Sequence, residues 1–169
     1  MRTRVLLLVG AAMVFGVVNW QVAGKERLRS SGQTVFLDLA PVDPRSLMQG
    51  DYMALNFRLA RDISSAISGK AASAGNVAVL KLDERRFGQF NRVQTGGALN
   101  PGEMRFRFRI RADAVWLGTN AFFFHEGEAE RFRMARFGEF RVNDDGDAML
   151  VDLRDKDLRR MTANSVTDK

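Results

Sequence analysis

Cysteine is absent from the 169-residue chain, and histidine and tyrosine occur once each. Without a thiol there is no disulfide framework, no cysteine nucleophile, no iron–sulfur ligand and no thiolate zinc site. The one histidine, His125, stands beside Glu126, Glu128 and Glu130. Imidazole and carboxylate suit metals, yet no second histidine supplies an HEXXH helix, so a solvated acidic stretch is the better reading and no cofactor is expected. There is also no second long apolar run, which excludes a multi-span membrane protein. The 26 basic against 20 acidic residues give a net charge of +6, but they are scattered. A nucleic-acid binder concentrates such charge in a stripe with aromatic platforms, so no nucleic-acid partner is expected.

What is present begins with Val5–Val18, VLLLVGAAMVFGVV, which lacks any polar side chain. Arg2 and Arg4 precede it and Val22-Ala23-Gly24 offers a loose cleavage site, the layout of an export signal. Counted to Ala23 the stretch reaches the roughly 17–25 residues of a membrane span, with Asn19 and Trp20 at the interface. Residues 1–24 are therefore read as an uncleaved signal anchor that holds the chain in the bilayer. Residues 25–32 follow as a polar linker, 33–161 as one domain and 162–169 as a frayed tail.

Within the domain, Val35, Leu37 and Leu39 recur at period two, as do Met53, Leu55, Phe57 and Leu59; each set predicts a strand. Pro41 and Pro44 interrupt the chain between them. Arg61–Asn76 reads as a short helix and a flexible connection, and Val77–Leu82 as a buried strand. Met104, Phe106, Phe108 and Ile110 alternate with Arg105, Arg107, Arg109 and Arg111, which predicts one antiparallel strand with a solvated four-arginine face. Glu139–Val142 and Ala148–Leu153 flank Asn143-Asp-Asp-Gly-Asp147, a hairpin turn rather than a calcium loop. Asp155–Met161 reads as a short helix. Several short strands with few helices make this a mainly β or α+β fold, a single antiparallel β-rich domain behind one helix.

The segment Pro41–Phe57 concentrates unusual residues. Asp43 and Asp51 lie within reach of Arg45 if the loop folds back, Gly50 allows a backbone conformation other residues avoid, and Tyr52 points opposite to Asp51, Leu55 and Phe57. GDYMALNF resembles, at Gly50, Asp51, Tyr52 and Leu55 and with Phe57 in place of Tyr, the signature of the GDYXXLXY family of membrane-anchored bacterial proteins. The lead-in PVDPRSLMQ, Glu126-Gly127, the Gly138–Val142 strand and Gly146 with its apolar sequel extend the likeness over Val35–Leu153. The resemblance implies an extracytoplasmic domain behind one N-terminal helix, encoded beside multi-pass membrane proteins. It supplies no reaction, and phenylalanine at position 57 marks a packing site rather than a hydroxyl with a role.

A looser similarity, to type I signal peptidases, supplies the enzyme alternative: an anchor, a Pro-containing loop and a GD pair before an apolar strand. Their serine precedes the glycine by eight residues, where this chain has Val42, so a Ser/Lys hydrolase would have to use Ser46 and Lys81. The leading expectation is a non-enzymatic accessory domain on the periplasmic side of a bacterial cytoplasmic membrane. It would bind a multi-pass membrane protein through Asp43, Arg45, Gly50, Asp51 and Tyr52. A third expectation is an anionic lipid or glycan site on Arg105, Arg107, Arg109 and Arg111, since guanidinium groups match phosphate and carboxylate. Alternatively that face is neutralised by cross-strand carboxylates such as Glu139 or Asp152.

Overall fold

A computed structural model describes residues 2–40, 48–49, 52–67, 76–94, 96–112, 114–119, 121–125 and 127–161, with side chains of 2–9, 48–49 and 129 outside that description. The period-two segment forms β1 (Gln33–Asp38), with Val35 and Leu37 fully buried. It pairs with β10 (Phe137–Val142), which in turn pairs with β11 (Ala148–Arg154), all antiparallel. A second sheet places β4 (Val77–Leu82) between β5 (Gly88–Val93) and β6 (Glu103–Arg107). Ala78, Val79 and Leu80 are buried in succession, so both faces of β4 are covered.

These two sheets meet at Phe140. Phe106 of β6 and Phe57 each set a ring edge against it, at centroid distances of 5.6 and 5.3 Å. Such pairs add about 0.5–1.5 kcal/mol to the area they bury. Close approach is made by small residues: a Cβ on Gly138 would lie 2.7 Å from the Phe57 ring, and one on Gly88 would lie 2.9 Å from Val35. The helix α2 (Arg58–Ile67) buries Leu59, Ile63 and Ile67, at helical spacing, against this core.

Several boundaries differ from expectation. The strand expected through Leu59 is short, β3 (Tyr52–Ala54), because Leu59 belongs to the apolar stripe of α2 rather than to a period-two face. The arginine-rich run is two strands, β6 and β7 (Arg109–Arg111), which sit in different sheets. Between them Phe108 is 1% exposed and donates its N–H to the carbonyl of Asn76, the residue before β4, so the pairing with β4 ends there. β7 pairs instead with β8 (Ala114–Trp116). Among the described residues, 127–136 hold one short helix, α3 (Ala129–Phe132). Asp155–Met161 is no helix but a turn, its Asp155 carboxylate accepting from the N–H groups of Asp157 and Arg159.

At the N-terminus α1 spans Arg2–Ser31 without the linker expected at 25–32. The reason is composition, because Lys25–Ser31 contains neither Gly nor Pro and the helix stops only at Gly32, whose N–H reaches the Leu28 carbonyl. Leu28 is buried and Arg141 of β10 donates to the Gly32 carbonyl at 3.2 Å, so the last turns are seated on the domain. Among the described residues no helix is long and apolar enough to cross a membrane, so the span expected over 1–24 is not supplied by them. Described side chains of α1 start at Gly10, past Val5–Val9.

Candidate functional site

The motif segment folds as a hairpin. β2 (Met48–Gln49) pairs with β3, matching Met48 to Met53 and Gln49 to Tyr52, and leaves only Gly50 and Asp51 between the strands. Both of those residues, with Asp43, Arg45 and Ser46, lie outside the described residues. Beyond the turn the side chains divide by parity. Met53, Leu55 and Phe57 are buried, whereas Tyr52 is 38% exposed. Phe57 is a packing residue, as its missing hydroxyl suggests.

Tyr52 has a neighbour that sequence reasoning did not connect with it. β3 pairs on its other edge with β9 (Ala121–Phe123), which sets Phe123 opposite Tyr52 with ring centroids 5.9 Å apart. Phe123 is 75% exposed. The next residues of that run turn inward, since Phe122 and Phe124 both pack on the buried Phe132. The AFFF run therefore spends one ring on solvent beside Tyr52. An aromatic pair standing on the surface is an arrangement that binding surfaces favour.

The four arginines all point away from the core, but they do not make one charged face. Arg105 donates to Gln94 at 3.2 Å and to the Asp144 carbonyl at 3.4 Å, and Arg107 donates to the Asp145 carbonyl at 3.0 Å with the Asp147 carboxylate 3.6 Å away. Their partners are thus the acidic Asn143–Asp147 turn, not Glu139 or Asp152. Arg111 lies over the Trp116 ring, 5.3 Å from its centroid. Arg109 pairs through its backbone with Trp116, and its side chain forms no hydrogen bond or ion pair with another described residue.

Glu139 and Asp152 stand opposite each other on β10 and β11 and are 2% and 4% exposed. Glu139 takes Nε of Arg154 at 2.8 Å together with its Nη2, while Arg154 also donates to the Leu158 carbonyl. Asp152 accepts the Leu153 N–H at 2.7 Å, and Arg160 lies 3.9 Å from it. A buried carboxylate answered in this way holds strands together. A comparable clamp ties β5 to β6. Glu103 accepts from Arg92, Asn91 and the Asn100 N–H, and the bonds from Arg92 first and Asn100 next lower its pKa to about 2.

Lys81 and His125 are both exposed, and neither side chain bonds a described residue. Lys81 faces solvent from β4, so the burial that a general-base lysine requires is missing. His125 contributes only its backbone, its N–H reaching Glu128 at 3.2 Å. Among the described residues no group of three or more acidic or imidazole side chains could hold a metal ion.

A family model described as GDYXXLXY protein matches residues 14–153, the hairpin, both main sheets and the domain end of α1. The chain belongs to the GDYXXLXY protein family. Of the motif's described residues, the tyrosine lies outside and the leucine and final aromatic lie in the core. No curated protein and no solved structure matches the chain.

Proposed function

We propose that this GDYXXLXY protein is a membrane-anchored, non-enzymatic accessory domain on the periplasmic side of a bacterial cytoplasmic membrane. α1 holds it in the bilayer, and the motif hairpin docks on a multi-pass membrane protein. The observation that carries the reading is the state of α1: Met13, Val14, Phe15, Val17, Val18 and Val22 are all at least half exposed, and Trp20 is 83% exposed. Burying a side chain of this kind is worth about 1.5–3 kcal/mol, so those six apolar residues alone forfeit on the order of 10 kcal/mol in water. Hydrocarbon recovers that term. The apolar turns are continuous with Val5–Val9, which belong to the same helix and the same apolar run.

The docking surface comprises Tyr52 and Phe123 with Asp43, Arg45, Gly50 and Asp51 of the motif loop. Support for a binding role over a catalytic one is the exposed aromatic pair of Tyr52 and Phe123, together with buried carboxylates that are engaged by arginines. The test is affinity purification of the tagged full-length chain from detergent-solubilised membranes, next to a Tyr52→Ala/Phe123→Ala variant. A multi-pass protein recovered with the wild type and lost with the folded variant is the expected result. Equal recovery with both, or release of the chain from membranes by alkaline carbonate, overturns it.

A further inference from the structure

The chain has two tryptophans, 96 residues apart in sequence, and both line one cleft. Trp20 comes from α1 and Trp116 from β8, and between them stand Lys25, Arg107, Arg109 and Arg111. The cleft encloses about 790 Å³. Against its four cations it holds one carboxylate, Asp147, already engaged with Arg107. The side chains of Arg109 and Lys25 make no hydrogen bond or ion pair with a described residue, and that of Arg111 is occupied only by the face of Trp116. Two guanidiniums and an ammonium are thus left with their donors unspent in a walled, positively charged space.

We infer that this cleft seats the phosphate headgroup of an anionic phospholipid. The inference rests on the proposed membrane anchor and adds a ligand to it. Three physical features converge on lipid rather than a dissolved anion. The exposed apolar turns of α1 end at Val22, next to the cleft wall, so hydrocarbon and headgroup sites lie one after the other along the helix. Tryptophan favours the headgroup level, where an apolar ring and a polar N–H are both satisfied. Planar guanidinium donors match phosphate oxygens in pairs, and each basic group near an anionic surface strengthens binding several-fold. Glu139 and Asp152 are directed to other arginines, so among the described residues Asp147 is the one carboxylate that lines the site.

Both tryptophans report on the same cleft, which makes intrinsic fluorescence a local probe. Full-length protein is reconstituted in phosphatidylcholine vesicles containing either brominated phosphatidylglycerol or brominated phosphatidylcholine at equal mole fraction. Quenching then gives the relative occupancy of lipid at the cleft. The expected result is stronger quenching by the brominated anionic lipid, weakening as salt is raised, and a loss of that preference by about tenfold or more in Arg109→Ala/Arg111→Ala. The control Arg131→Ala/Arg133→Ala, in and just after the separate helix α3, retains the preference.

Equal quenching by the two lipids in reconstituted wild type overturns the headgroup site while leaving the anchor intact. A preference that survives Arg109→Ala/Arg111→Ala also overturns it. If millimolar inorganic phosphate abolishes the preference, the cleft is a soluble-anion site and the lipid assignment falls. Failure of the chain to enter vesicles of either composition removes the anchor and this inference together.

Discussion

Phe57 and Gly138 meet where the motif segment enters the core, and the contact explains why each is what it is. A methyl group at Gly138 would stand 2.7 Å from the Phe57 ring and 3.1 Å from both Phe140 and Leu150. Aromatic rings inside a packed core cannot swing aside, so Gly138→Ala should destabilise the fold by about 1–3 kcal/mol in urea unfolding. Glu103 offers a second residue-scale test. Its carboxyl is held at about 2, against an ordinary value of 4.5, first by Arg92 and then by the Asn100 N–H. A depressed folded value means that ionised Glu103 stabilises the fold above pH 4.5, and that this contribution is lost as pH falls toward 2. Glu103→Gln should lower the melting temperature at pH 7 and flatten its fall between pH 4.5 and 2.

The three strands β1, β10 and β11 form the element that links helix, motif and C-terminal turn. Glu139 and Arg154 fasten its outer face, and Arg154 continues to the Leu158 carbonyl and lies over the Phe36 ring, 5.9 Å from its centroid. Removing the carboxylate leaves a mostly buried guanidinium without its partner. Glu139→Ala should therefore cost about 3 kcal/mol or more, and Glu139→Gln less, by chemical denaturation. Period two made β1 readable because one face of it is buried, β4 was readable as an unbroken apolar run because both its faces are covered, and β10 and β11 were readable as the arms of the Asn143–Asp147 hairpin. Less was readable at β6 and β7, where unbroken alternation of arginine and apolar residues conceals a change of sheet. Alternation reports which side is buried; it carries no signal for which neighbour supplies the hydrogen bonds, and the pairing passes from β4, whose ladder ends with the Phe108 N–H on the Asn76 carbonyl, to β8 without a break in the pattern.

At the scale of the whole molecule, an exposed apolar helix stands on a β-rich body whose surface aromatics are Tyr52 and Phe123. Exposed rings contribute little to folding, so Tyr52→Ala/Phe123→Ala should shift the unfolding free energy by no more than about 0.5–1 kcal/mol beyond loss of the pair. Loss of partner recovery with an unchanged melting profile would then be a binding effect. The arrangement also sets the basic cleft beside the helix turns that lack protein contacts. That placement depends on the helix running straight through residues 25–31 into Leu28 and Gly32. A flexible linker in the same positions would have left Trp20 and Trp116 without a fixed relation.

Composition and periodicity by themselves determined the absence of thiol chemistry, the apolar N-terminal helix, the antiparallel β-rich class and the inward direction of Leu55 and Phe57. Those are consequences of residue type and of a local repeat, which act over a few neighbours. Tertiary structure alone decided that Phe123 faces Tyr52, that the arginines of β6 answer the Asn143–Asp147 turn, and that both tryptophans share one cleft. Each of these is a contact between segments distant in the chain. Strand order and register, set by the packing of the common core around Phe140, bring them together.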